Sequence, residues 1–246
     1  MEKKDGVLTD VKEDDLELLK SNPDEFWEGV TKIGEYAFWG CSNLTSINIP
    51  DSVTKIGWFT FAGCKSLTSI NIPGSVTDIE TGAFQDCLSL TSINIPDSVT
   101  EIRESVFLDC SSLTSITIPD SVTKIGAHAF CGCKSLTSIT IPNSVTKIEE
   151  GEFCGCKSLT SINIPDSVTK IGAHAFCACK SLTSITIPNS VTKIEHGAFL
   201  DCSNLREIIL PEGVEIAEDA FENCPNLKIT WVKANKNEPE SSDENE

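Results

Sequence analysis

The stretch CGCKSLTSITIPNSVTKI, residues 131–148, decides the fold, because it returns. Cys154 opens a close copy over 154–171, and Cys177 opens another over 177–194. Working outward, Phe38, Phe61, Phe84, Phe107, Phe130, Phe153, Phe176 and Phe199 stand 23 residues apart. Cys41 to Cys202, Leu44 to Leu205 and Pro50 to Pro211 keep the same step. The unit reads A-F-x-x-C-x-x-L-T-S-I-x-I-P-x-S-V-T-x-I. So many registers in phase exclude chance and point to an internal repeat.

A unit this short cannot bury a core alone. It can do so by stacking on its neighbours as one coil of a solenoid. After Leu44 the segment T-S-I-N-I alternates: Ile47 and Ile49 point one way, Ser46 and Asn48 the other. That is a short strand. Pro50 ends it, because proline has no N–H for a ladder, and Asp51-Ser52 turns the chain. Val53 and Ile56 supply a second inward pair. Gly57 opens a tight bend, and pairs such as Ala37-Phe38 and Ala129-Phe130 fit a short helical or irregular turn. The expected architecture is an α/β solenoid, with a parallel sheet on one face and short turns or helices on the other. Leu, Ile, Val, Phe and Cys ladders fill its interior.

The ends depart from the unit. Asp10-x-x-Glu13 has the form of a capping box for a helix over about residues 11–20, and Asn22-Pro23 should stop it. Residues 1–26 are therefore expected to form a helical N-terminal cap, and 27–232 the array. The segment Val214 to Ile216 is one residue shorter than its counterpart, and the last strand, KITWV, has Trp231 and no proline. Both mark a C-terminal cap. Residues 233–246 form a polar, acidic tail expected to be disordered.

The L-x-x-I-x-I segment resembles a leucine-rich repeat strand. The whole unit resembles the BspA-like class of leucine-rich repeats, over about residues 27–232. The resemblance implies a right-handed coil stack. It also implies a protein of bacterial or protist surfaces, or a bacterial effector. The class has no shared catalytic motif, so no catalytic, cofactor or metal site is carried over. The Glu-rich block EPESSDENE resembles the acidic C-terminal signals of type IV secretion effectors.

The formal charge of −18 argues against nucleic acid. No run of about 18 apolar residues exists to span a membrane. The start, MEKKDGVLTDVKEDD, lacks the apolar region of a secretory signal. The expectation is a soluble protein made in the cytoplasm, which leaves a cell only by a signal-peptide-independent route.

The in-phase cysteines from Cys41 to Cys202 read as buried reduced thiols. Rungs about 4.8 Å apart would permit disulfides but give no unique pairing. Cys131, Cys154 and Cys177 are additional. They share a position with Trp39, Ala62, Gln85, Leu108 and Leu200, which suggests partial exposure. Their C-x-C spacing is not the C-x-x-C of zinc sites. His128 and His174 share a position two coils apart, too far to hold one ion, and His196 is out of phase with them. All three read as solvated turn residues. No nucleophile elbow, phosphate loop or metal-binding helix motif stands out.

What remains is surface. The outward strand pairs run Ser46/Asn48, Ser69/Asn71, Ser92/Asn94, Ser115/Thr117, Ser138/Thr140, Ser161/Asn163 and Ser184/Thr186, then Glu207/Ile209. Asn94, Thr117, Thr140 and Asn163, at the centre of this face, are the candidate contacts for a protein partner. Lys124, Lys147, Lys170 and Lys193 share another position, and Lys134, Lys157 and Lys180 a third. Both sets read as basic lines, with Lys147 and Lys170 as candidate contacts for an acidic partner. The reading is a non-catalytic interaction module that contacts a host protein. A cell-surface adhesin, or an enzyme with a site at a cap, are the alternatives.

Overall fold

The computed structural model describes residues 1–233; the expected acidic tail lies, from residue 234 on, outside the described residues. The coils stack as the period requires. Ser46–Asn48, Ser69–Asn71, Ser92–Asn94, Ser115–Thr117 and Ser184–Thr186 are strands, each with its middle Ile buried and its flanking residues exposed. They pair in parallel and in register, Ile47 with Ile70, Ile93 with Ile116 and Ile185 with Ile208. The ladder is less continuous than expected. Ser46–Asn48 pairs with Ser69–Asn71, and Ser92–Asn94 with Ser115–Thr117; the last three rungs, to Lys228–Val232, form a third sheet. Between them, Thr140 meets Asn163 through one isolated bridge.

A second parallel ladder was not expected. It runs through Lys32–Ile33, Lys55–Ile56 and Asp78–Ile79, through Glu101–Ile102 with Lys124–Ile125, and through Lys170–Ile171, Lys193–Ile194 and Glu215–Ile216. Two-residue strands are too short to show an alternation, so only their inward members, such as Ile56, were legible.

The far side is made of turns. Each coil before the last passes through the left-handed region twice there, for instance at Tyr36 and Gly40, at His128 and Gly132, and at His174 and Ala178. A right-handed helix cannot continue through such residues. Main-chain bonds tie each turn to the next coil, as from Phe38 N–H to Thr60 C=O at 2.9 Å and from Phe153 N–H to Ala175 C=O at 2.8 Å.

The core is a set of columns. The Phe rings from Phe38 to Phe221 stack one on another with centroids 5.0 to 5.7 Å apart. Those from Phe38 to Phe199 are fully buried. Each stacked pair contributes about 0.5–1.5 kcal/mol beyond the area it buries. Hydroxyl columns reinforce the stack. Ser121 Oγ donates to Val99 C=O at 2.8 Å and Thr68 Oγ1 to Thr45 C=O at 3.0 Å, each one coil back. These serines and threonines are structural, which explains their strict period.

The N-terminal cap differs in composition from the helical cap expected over 1–26. It begins with an antiparallel hairpin, β1 (Glu2–Lys4) and β2 (Val7–Thr9), and β2 joins the second ladder beside Lys32–Ile33. Helix α1 (Asp15–Ser21) starts later than expected. Asp10 is left-handed with φ 50°, so it cannot close the Asp10/Glu13 box; Asp15 instead accepts the Lys12 N–H at 2.8 Å. Asn22-Pro23 ends α1 as expected and also opens α2 (Pro23–Trp27). There the Asn22 side chain accepts the Glu25 N–H as N-cap, and its amide donates to the Glu25 carboxylate. Phe26 and Trp27 lie over Phe38 and close the first coil.

Candidate functional site

The four candidate strand-face residues form two pairs. Asn94 lies beside Thr117 within one sheet, and Thr140 beside Asn163 through the isolated bridge. All four side chains are exposed, as the alternation required. Ser138, Thr140, Ser161, Asn163, Ser184 and Thr186 line a shallow trough of about 440 Å³. Its walls are short, polar and uncharged. On the next rung Glu207 pairs with Ser184, and Ile209 with Thr186, which ends the uniform stretch.

The lysine edge requires correction. The column is not a basic line, because acids from neighbouring rungs and columns interleave with it. Lys124 binds Glu101 at 2.8 Å, Lys170 binds Glu195 at 2.8 Å and Lys193 binds Glu215 at 3.1 Å. Lys147 alone of the four makes no ion pair among the described residues and is exposed. Lys147 and Lys170 are therefore not equivalent: the first offers a free charge and the second a neutralised one.

Three acidic side chains escaped the repeat reading. Glu80 is buried and receives Trp58 Nε1 at 3.0 Å and Arg103 Nε at 3.1 Å, together with Lys55. Burial alone would raise its pKa. The hydrogen bonds from Lys55 and Trp58 and the Arg103 charge outweigh that and hold the carboxylate below its ordinary range. Glu152 is fully buried where adjacent coils place Ala129 and Ala175. One oxygen accepts the Glu149 N–H at 2.9 Å and the other has no partner. Burial pushes its pKa well up. Asp219 accepts from Gly197 N–H at 3.2 Å and faces His196 Nδ1 at 3.1 Å. Glu152 stands at a position that most coils fill with Ala, whereas the positions of Glu80 and Asp219 vary from coil to coil and gave no such signal.

The thiols divide as expected. The cysteines from Cys41 to Cys202 that lie in phase are buried and free. Cys64, Cys87 and Cys110 each donate to the Phe carbonyl of the preceding coil, at 3.1, 3.2 and 3.1 Å. Burial raises the Cys41 pKa to about 11 and the Cys202 pKa to about 12. Cys131, Cys154 and Cys177 are half-buried, as their varied column implied. His128 and His174 occupy left-handed turn positions and lie over Gly151 and Gly197, where any β-carbon would strike the imidazole. Among the described residues no three His, Cys, Asp or Glu side chains are grouped to hold a metal ion. No helix among them is long and apolar enough to cross a membrane.

A further feature was not anticipated. Tyr36, Trp39, Phe59, Ala62 and Leu88 line a cleft of about 670 Å³ on the turn side of the first coils. Trp39 is 66% exposed and Tyr36 stacks on Phe59 at 5.5 Å. The columns were visible in the sequence. That their variable members converge on one cleft was not.

Residues 31–147 and 123–239 match the family model described as BspA type leucine rich repeat region, in six copies. Among solved structures, the leucine-rich repeat protein of T. pallidum is 36% identical with a TM-score of 0.59, covering 62% of this chain and 72% of its own. A leucine-rich repeat protein from Eubacterium ventriosum shares the fold at 22% identity and a TM-score of 0.50, covering 94% and 79%. A leucine rich cell surface protein from Faecalibacterium prausnitzii is 30% identical, covering 83% and 77%, with a TM-score of 0.42. No curated protein matches the sequence.

Proposed function

We propose that this chain, which belongs to the BspA-type leucine-rich repeat family, is a protein-interaction module whose contact surface is the strand face. One observation carries the reading: Thr140, Asn163 and Thr186 are exposed on three consecutive rungs and line one uncharged trough, while the Ile residues between them are buried. Side chains there can change without disturbing the core, and little charge has to be desolvated when a partner docks. The partner is a protein of a host, reached by delivery into its cells. The acidic block EPESSDENE supports this reading, because its composition resembles that of type IV secretion signals. Display on a cell surface is the alternative setting for the same module.

A second contact surface is favoured by the exposure of Trp39. Aromatic side chains in clefts dominate many protein interfaces. Capture from host lysate with three variant sets separates the surfaces. Thr117→Arg with Thr140→Arg places two bulky charges on the strand face. Lys147→Glu with Lys170→Glu reverses the edge, and Trp39→Ala removes the aromatic. Loss of the captured protein by the first set alone supports the strand face. Loss by another set alone moves the contact to that surface, and retention by all three overturns the reading.

A further inference from the structure

Cys131, Cys154 and Cys177 occupy one column on three consecutive rungs of the turn side. The residues before them, Phe130, Phe153 and Phe176, stack at 5.7 and 5.5 Å. Gly132 N–H bonds to Cys154 C=O at 2.7 Å, and Gly155 N–H to Cys177 C=O at 2.7 Å. One rung therefore falls within the Cα separation of about 4.4–6.8 Å that a disulfide needs, and two rungs do not. The ladder thiols point inward at Phe carbonyls. These three are half-buried, reachable from solvent, and set against one another.

We propose that Cys131 and Cys154 form a reversible dithiol–disulfide pair that reacts with small-molecule disulfides, Cys131 attacking and Cys154 resolving. Two features select this pair over Cys154 with Cys177. Glycine follows both Cys131 and Cys154, and both glycines lie in the left-handed region, where the lack of a β-carbon leaves the backbone free to adjust; a β-carbon at Gly155 would meet nothing nearer than Gly132 at 3.6 Å, whereas one at Gly132 would strike Asp109. Ala178 follows Cys177 at a left-handed position. The neighbouring Cys154 thiol lowers the Cys131 pKa, and the same contact, with burial, raises that of Cys154 while Cys131 is a thiolate; that contact is lost once Cys131 enters the mixed disulfide, and burial pushes Cys177 up to about 12.

The chemistry balances. The Cys131 thiol loses its proton to solvent, and its thiolate attacks one sulfur of the small disulfide. The S–S bond of the reagent breaks and one small thiolate leaves. Cys154 then loses its own proton to solvent, its thiolate attacks Cys131 Sγ and expels the second small thiolate, and the two small thiolates take up the two protons. Two protein thiols are oxidised by two electrons, and one small disulfide is reduced to two thiols. The new bond joins the two coils whose strand-face contact is the single bridge Thr140–Asn163. It staples, on the turn side, two coils whose strand segments form no extended ladder.

Trypsin isolates each member of the column, because Lys124, Lys134, Lys147, Lys157, Lys170 and Lys180 bracket it. The reduced full chain is incubated with glutathione disulfide, its free thiols are blocked with N-ethylmaleimide, and it is digested without reduction. The expected product is peptide 125–134 joined to 148–157 through Cys131 and Cys154. Cys131→Ser abolishes it, Cys177→Ser leaves it intact, and Cys154→Ser arrests Cys131 as a mixed disulfide with glutathione. Cys131→Ala serves as a second variant, since Ala62 fills the same column position. A dominant link from 148–157 to 171–180 overturns the proposal. So does a link through Cys133 or Cys156, a link between chains, or recovery of all three column thiols blocked by maleimide.

Discussion

The Cys133 thiol donates to the main-chain carbonyl of Phe107, one coil back, at 3.3 Å. The same bond recurs from Cys156 to Phe130 and from Cys179 to Phe153. Cysteine suits the position because it is small and apolar and still carries a weak donor. The column thus couples packing to inter-coil hydrogen bonding, beside a Phe stack that has no polar atoms.

Cys110→Ala removes both the sulfur and the donor. The Phe84 carbonyl keeps the Cys87 N–H at 3.2 Å, so it is not orphaned. The expected loss is about 1 kcal/mol, toward the low end for a hydrogen bond and a small cavity. Urea unfolding measures it. A loss below about 0.3 kcal/mol would show that the thiol is only a space filler.

Native labelling with a maleimide, followed by mass spectrometry, should separate two classes. Cys131, Cys154, Cys177 and Cys224 are partly exposed and react first. The buried ladder reacts only after denaturation. Rapid native labelling of Cys87 or Cys110 would contradict the packing described.

Glu152 sets a pH dependence. Its folded pKa lies above the unfolded value of about 4.5, so the folded chain holds the proton more tightly. The stability this contributes is complete below about pH 4.5 and is lost as pH rises through the folded value. Glu152→Ala, which copies Ala129 and Ala175, should therefore melt higher than the parent at pH 7.5. The difference should shrink at pH 4. A gain of about 1–2 kcal/mol corresponds to several degrees for a chain this size. An equal difference at both pH values would sink the assignment.

Glu80 has the opposite sign. Its folded pKa is depressed, so its contribution is present above about 4.5 and is lost as pH falls through the folded value. Glu80→Gln should cost about 1–3 kcal/mol near neutrality, discounted because Lys55 is half in water. The gap between variant and parent should close in acid, read by thermal melts from pH 7 down to 3.

Lys147→Glu and Lys170→Glu, tested singly, should differ. Lys147 has no ion-pair partner among the described residues, so its reversal should shift stability by less than about 0.5 kcal/mol. Reversal of Lys170 replaces the pair with Glu195 by a like-charge contact and should cost about 0.5–1 kcal/mol more, less at high salt. Equal costs would mean that the pair at 2.8 Å contributes nothing.

The 23-residue period by itself determined the coil, its inward Leu, Ile, Phe and Cys columns, the parallel register and the exposed Ser/Asn/Thr face. Each of these repeats at every rung, so a single sequence samples it many times over. The period also assigned Cys131, Cys154 and Cys177 to a half-exposed column. The second strand ladder stayed hidden because two residues carry no alternation. The left-handed turns stayed hidden because Tyr36, Ser105 and His128 do not look like glycine. Only the tertiary structure decided which charges are neutralised. Lys170 finds Glu195 two columns over on the next rung, whereas Lys147, identical in the repeat, faces no such acid. A periodic sequence specifies what lies above and below a residue. What lies diagonally depends on how far each coil turns before the next begins, and that angle is set by packing.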